Sequence, residues 1–438
     1  MRPLRIVLAL TLTVALALVG LGGSGVDAQG NTIKIGVLYD HTGPFSAAGS
    51  LNCWRGAKMI IDYFNERGGV LGKYKIVQID GDSQSKAEVA INEAERLLNA
   101  EKVDILAGVY SSAHAVPLAE KVDKQKKFLW ITTAISSKVF DGRNLQYTFR
   151  PQPTGDQFGA LSVQYIAENA KERLKKEPKE LRLAIIHEDG AYGVDVSKGN
   201  EAGAKKAGFN IVLKEGYAAT APDLSALVTK LKRARPDVIF HTGYNPDITL
   251  FHRQAREGGL KFSALIGHGA GYGVYSKLKE GLGNDVNYFY NVDPISIWQT
   301  NEKALDPKLP PLVKMVGEEY DKAKPGTTIR SAHVGMAASN TYVFFTEVLP
   351  RAIKKYGGID SEALRKAALE VDLPEGGTML GFGVKFEGEG QPMAGQNDRA
   401  NPVVTQYIDD KSYVVWPKSL AEREAVLPFP AGTVYSAK

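Results

Sequence analysis

From residue 32 onward the chain repeats one unit, a short apolar run rich in β-branched residues followed by an amphipathic helical stretch. "NTIKIGVLYD" leads to "LNCWRGAKMIIDYFNERGG", "YKIVQID" to "SKAEVAINEAERLLNAE", and "VDILAGV" to "SSAHAVPLAEKVDKQ". After "KFLWITTA" and "YTFRPQP" the unit resumes, with "LRLAIIHE", "FNIVLKEGY" and "PDVIFHTGY" each followed by a helical pattern. Short strands that are apolar on both faces and separated by helices pair in parallel and are covered on both sides. The fold class is therefore α/β.

At 438 residues the chain exceeds the roughly 250–300 at which a single core stops growing. The two series of units predict two similar parallel-sheet lobes instead of one wide sheet. "FRPQPTGDQ", proline-rich and polar, reads as a crossing segment between them. Beyond about residue 309 the chain is strongly helical and then ends in the sheet-like "TQYIDDKSYVVWP". Residues 31–150 with about 292–378 are expected to form lobe 1, and residues 151–291 with about 379–438 lobe 2. That division requires three crossings between lobes.

Residues 1–28 are set apart from the fold. Arg2 and Arg5 precede the apolar run "IVLALTLTVALALVGL", and Val26-Asp27-Ala28 makes an acceptable cleavage site. This reads as a secretory signal peptide, with an uncleaved membrane anchor as the rival. No cysteine sits at the cleavage site to carry a lipid, so an exported, periplasmic protein is expected. The single cysteine, Cys53, excludes an intramolecular disulfide and falls on an apolar helical face. Removing residues 1–28 takes away two Arg and one Asp, so the net charge falls from +5 to +4. The densest basic run, "KERLKKEPKELR", is interleaved with glutamates, a solvated helix face and not a nucleic-acid groove.

Ligands of open parallel sheets bind outside the carboxyl ends of the strands, which directs attention to the loops that follow each strand. In the first series these carry Phe45, Tyr110, Ser111, Ser112, Ala134 and Ser136; in the second, Tyr192, Tyr244, His268 and Gly269. Hydroxyls and small residues mark one lobe, tyrosines the other. A serine at the start of a helix offers its hydroxyl, nearby backbone N–H groups and the positive end of the helix dipole to an anion. The plainer reading is that Ser111 and Ser112 cap the helix and that the tyrosines are packing residues.

The chain carries no Gly-x-Ser-x-Gly elbow after residue 28, no His-Glu-x-x-His and no phosphate loop ending in Gly-Lys-Ser/Thr. "GLGGSG" lies in the signal region, and "GHGAGYG" has the wrong glycine spacing for a dinucleotide site. The seven histidines show no metal-ligand spacing with Cys or carboxylates. A binding protein without metal or cofactor is expected over an exported α/β enzyme.

Thr42-Gly43-Pro44, Gly49, Gly56-Ala57, Asn65, Gly68-Gly69, Gly72 and Asp82-Ser83, together with "GVYSS", "HEDGAYG", "GYNPDITLFHRQAREGGLK" and "NPVVTQY", resemble the periplasmic solute-binding proteins of the branched-chain amino acid class that serve ABC importers. The resemblance spans nearly the whole chain after residue 30. It implies the type I periplasmic binding protein fold, two lobes on a three-segment hinge closing over one ligand. It also implies an amino acid or other small carboxylate as ligand, delivery to membrane permease subunits, and a monomer. The family's carboxylate-holding positions fall on Ser112, Ala134 (backbone) and Ser136, its cleft aromatic on Tyr192, and its ammonium-facing tyrosine on Tyr244. Where amino-acid binders place an acidic residue, this chain has Gly269, next to His268. A buried ammonium without a counter-charge is costly, so a carboxylate with an uncharged or aromatic body fits equally well. Asp189 and Asp247 are candidate substitutes for the missing charge.

Overall fold

The computed structural model describes residues 31–436; the signal-peptide reading of residues 1–28 lies outside them. The first sheet is β1 (Thr32–Tyr39), β2 (Lys75–Asp82), β3 (Ile105–Gly108), β4 (Phe128–Ile131) and β5 (Thr148–Phe149), in the order β2-β1-β3-β4-β5. Every pairing in it is parallel. The second sheet adds β6 (Arg182–Glu188), β7 (Asn210–Tyr217), β8 (Val238–Thr242), β9 (Ala264–His268) and β10 (Tyr290–Asp293). A short antiparallel pair, β11 (Asp372–Leu373) and β12 (Val384–Lys385), stands apart, before β13 (Val403–Ile408) and β14 (Lys411–Trp416). The second sheet runs β14-β13-β10-β9-β8-β6-β7. Its β13 and β14 join antiparallel, closing an otherwise parallel edge.

Strands β3 and β4 are almost wholly buried, as the apolar runs "ILAG" and "FLWI" require when helices cover both faces. The helix Ala332–Val343 packs on Leu51–Glu66, which follows β1 of the first sheet. In lobe 2 the helices Gly155–Arg173 and Ala191–Ala207 lie backbone to backbone. A Cβ at Gly199 would come within 2.0 Å of the Asp156 carbonyl oxygen, so only glycine allows that approach.

The chain passes between sheets three times. The first passage follows Phe149 and the second follows Asp293 at the end of β10. The third comes later than the 379 expected from sequence. Residues 384–397 stay with lobe 1, where Phe386 packs edge-on against Trp130 and Phe149 and Gln396 bridges to Arg150. The sequence showed only a change from helix to strand there, not the pairing that holds the segment back. Among the described residues no helix is long and apolar enough to cross a membrane.

Candidate functional site

The strand order places the site. β1 lies between β2 and β3, so the helices after β1 and β3 leave on opposite faces and a crevice opens between their loops. β6, between β7 and β8, does the same in the second lobe. The two crevices face one another across a nearly shut cleft, a cavity of about 30 Å³, room for a water or two, where a bound small molecule takes ~300–1,000 Å³. Lobe 1 contributes Tyr110, Ser112, Thr133, Ile135, His333 and Met336. Lobe 2 contributes Phe158, Tyr192, Tyr244, Gly269, Ala270 and Asp293.

Neither serine caps its helix. Ser111, extended just before the helix Ser112–Lys124, makes no capping bond; its hydroxyl instead meets the Tyr244 hydroxyl of the other lobe at 3.3 Å. The Ser112 Oγ accepts from the N–H groups of Ile135 (3.2 Å) and Ser136 (3.1 Å). Two accepted bonds occupy both lone pairs of a hydroxyl, leaving only its proton to offer. Ser112 is therefore a donor toward the cavity. The turn that delivers it is strained: Val109, β-branched, holds φ at +68°, a conformation costing of order 1–3 kcal/mol that tends to persist at functional sites.

The loop after β4 is held from behind. Arg150, fully buried, donates from Nη1 to the carbonyls of Ala134 (3.1 Å) and Ser136 (2.8 Å) and from Nε to Gln396 (2.7 Å). Burial lowers its pKa to about 9. Asp195 of lobe 2 reaches across to the same loop, accepting from the Ser137 N–H at 2.8 Å and from its hydroxyl.

In the second lobe Glu188 accepts from Gly190 N and Gly193 N and shapes the turn before Tyr192. The Tyr192 hydroxyl donates to the His268 carbonyl at 2.8 Å. Phe45 stacks on Tyr244 with ring centroids 4.2 Å apart. Beneath Tyr244, Asp247 accepts from the Tyr244 N–H (2.9 Å) and the Tyr217 hydroxyl (2.7 Å). From there a buried row continues through His241, Tyr272 and His252 to Tyr435, with contacts of 2.7, 2.7, 2.9 and 2.8 Å.

Of the residues singled out from sequence, Tyr110, Ser112, Tyr192, Tyr244 and Gly269 line the cavity, and Ser111 and Phe45 touch its wall through Tyr244. Three are placed elsewhere. The Ala134 N–H donates to the Val109 carbonyl and its carbonyl is taken by Arg150, so its backbone is already paired. The Ser136 hydroxyl accepts from Lys138 N and caps its own turn. The His268 ring is a core group bonded to Thr242 and Ser162, its pKa pushed down to about 3 by burial. The substitute counter-charges fail too, because Asp189 is exposed and Asp247 is engaged beneath Tyr244.

The residue that sequence reading missed is Asp293. It ends β10, fully buried, and burial raises its carboxyl to about 7. The strand-end rule applied to "NYFYNVD" finds it. His333 and Met336 lie inside a helix, where the sequence offered no comparable signal.

Residues 32–397 match the family model described as periplasmic binding protein. The "Leu/Ile/Val-binding protein homolog 7" of Brucella suis is 33% identical over 420 residues, covering 96% of this chain and 98% of the relative. Among solved structures, a leucine binding protein from Thermotoga maritima superposes with a TM-score of 0.70 at 20% identity, covering 87% of this chain and 97% of its own. A solute binding protein of an ABC transporter from Rhodopseudomonas palustris, in complex with 3,4-dihydroxy benzoic acid, gives 0.68 at 19% identity, covering 90% and 98%. The chain belongs to the periplasmic binding protein family, and its fold is the type I form expected from sequence.

Proposed function

We propose that this protein captures a small carboxylate between its two lobes in the periplasm and delivers it to the permease subunits of an ABC importer. The observation that carries the reading is the Ser112 hydroxyl, whose lone pairs are both occupied and whose proton is left for an anion. The first N–H groups of the helix Ser112–Lys124 have no intrahelical acceptor, as in every helix, and add to the same pole. Tyr110, Tyr192, Tyr244 and Phe158 enclose the body of the ligand. Lobe contacts through Tyr244, Phe45 and Asp195 support capture by closure. A monomer is the proposed working unit.

The relatives' names point to leucine, isoleucine or valine. The bare Gly269 and the aromatic walls favour a second reading, an aromatic or aliphatic acid lacking an ammonium, as in the Rhodopseudomonas palustris complex. Thermal-shift titration with amino acids, carboxylic acids and their primary amides tests the shared claim. At least one carboxylate raises the melting temperature by mass action while its amide does not, and scattering shows compaction on saturation. Equal response to acid and amide refutes the anion pole.

A further inference from the structure

The cleft lies at the carboxyl ends of the strands; the other end of lobe 2 carries a different chemistry. There β6 begins at Arg182, β8 at Val238 and β9 at Ala264, and the helix Ser225–Ala234 ends. Two adjoining hollows of about 790 and 280 Å³, sharing Lys232 and Arg235, open on this pole. Arg182, Lys232, Arg233, Arg235 and Lys261 line them, and no carboxylate does. Arg182 is spent on the carbonyls of Ala234 and Arg235, and Lys261 on that of Val434. Asp237 nearby is engaged by Lys176 and the Arg182 N–H. Lys232, Arg233 and Arg235 are exposed, and among the described residues none of the three has an ion-pair partner. This differs from the basic run 171–182, where Lys171 pairs with Glu177 and Lys176 with Asp237.

Cations in the last turn of a helix complement its dipole, which accounts in part for Lys232 and Arg233. It does not account for Arg235, which stands past the helix end with φ at +45°. Glycine or asparagine is usual at such a left-handed end; an arginine there adds backbone strain and a third outward cation on one rim. We propose that this pole of lobe 2 docks on the phosphate groups of an anionic lipid bilayer, holding the protein at the membrane while its cleft stays free. Guanidinium groups match phosphate oxygens two at a time, and two of the three free cations are arginines. No aromatic side chain lines the hollows to stack on a base, which argues against a nucleic acid. Leu231, Pro236 and Leu260 line the second hollow instead. Each surface cation contributes about fivefold in partition, and three together on the order of 100-fold, so attachment is reversible. The docking is independent of which ligand the cleft takes, and adds to the proposed delivery a search confined to the membrane plane.

The test is co-sedimentation of the full exported chain with vesicles of phosphatidylglycerol mixed with phosphatidylcholine, and with vesicles of phosphatidylcholine alone. Wild type is expected to sediment with the mixed vesicles only, and less as sodium chloride rises. The triple variant Lys232→Gln, Arg233→Gln, Arg235→Gly loses on the order of 100-fold in partition, with its melting temperature unchanged or raised because glycine relaxes at 235. A control variant, Lys102→Gln, Lys126→Gln, Lys308→Gln, changes the net charge equally at exposed sites away from the pole and keeps wild-type partition. Equal sedimentation with both vesicle types, none with the mixed vesicles at low salt, or an equal loss in the control overturns the docking surface and leaves the carboxylate reading standing. Inorganic phosphate that displaces the vesicles at an ionic strength where sodium chloride does not marks a free-phosphate site and overturns the bilayer. A short DNA duplex that binds more tightly per phosphate than the vesicles also overturns it.

Discussion

Replacing Ser112 by alanine separates a structural hydroxyl from a ligand-holding one. The Oγ accepts from two buried N–H groups, Ile135 and Ser136, through bonds of 3.2 and 3.1 Å. Removing a partner from a buried donor costs about 1–3 kcal/mol each. Both bonds are long and border a cavity that admits water, so the lower end applies and the loss of unfolding free energy is about 2–3 kcal/mol. If that were the whole role, ligand affinity would barely change. If the hydroxyl proton binds a carboxylate, the variant also loses a charge-assisted bond of about 1.5–3 kcal/mol, or about 10- to 150-fold in Kd. Urea denaturation gives the first quantity and titration calorimetry at a temperature where the variant is folded gives the second. A variant that is destabilised as calculated but binds its carboxylate within twofold of wild type refutes the donor argument.

Loss of the Asp195 carboxylate in Asp195→Ala frees Ser137 from lobe 2 and weakens the closed form; ligand affinity should fall by about 5- to 30-fold, with a larger scattering radius at subsaturating ligand, and an unchanged affinity would count against Asp195 as a latch. Stability without ligand should depend on pH through Asp293, whose carboxyl burial raises to about 7, and urea denaturation between pH 5.5 and 7.5 measures it. The groups facing Asp293 are His333, Asn291, Tyr192, Tyr407 and Cys53; His333 at about 4 and Cys53 at about 12 do not titrate in that window. Asp247, also at about 7, does, and Asp247→Asn isolates its share. A carboxyl raised in the folded state contributes stability that is fully present below 3.8 and is lost as pH rises through about 7.

The fold was legible because both lobes are written in one local code, apolar strands followed by amphipathic helices, and that code fixes sheet class and the end of the sheet where ligands bind. Ser112, Tyr192 and Tyr244 lie in the loops that follow β3, β6 and β8 at the two reversals of strand order, and the family resemblance is what picked them out among the loop residues there. What position could not show is where each hydroxyl points. Ser111 and Ser112 look alike in sequence, yet one reaches Tyr244 and the other ties down the loop after β4. Ala134 and Ser136 fell away for the same reason, since Arg150 and Lys138 compete for their polar atoms. Asp293 was overlooked because its strand follows a long break in the strand-helix rhythm. The late third passage was hidden for a different reason: it depends on long-range contacts between Arg150 and Gln396 that no local pattern encodes.

The row from Asp247 to Tyr435 has one further property. Each phenol has a single hydrogen and each neutral imidazole a single N–H, so the bonds must all run one way. With Asp247 ionised it can only accept, and Tyr217 points to it; His241 and His252 then carry their hydrogens on Nε2, and Tyr435 turns its own toward His252 Nδ1. Protonate Asp247 so that it donates, and the whole line reverses: both imidazoles switch tautomer, and Tyr435 finds its acceptor in the His252 carbonyl at 3.1 Å. The backbone of Tyr244 and the turn at Thr433–Ser436 are thus joined by a polarity that a single proton can flip without moving a heavy atom.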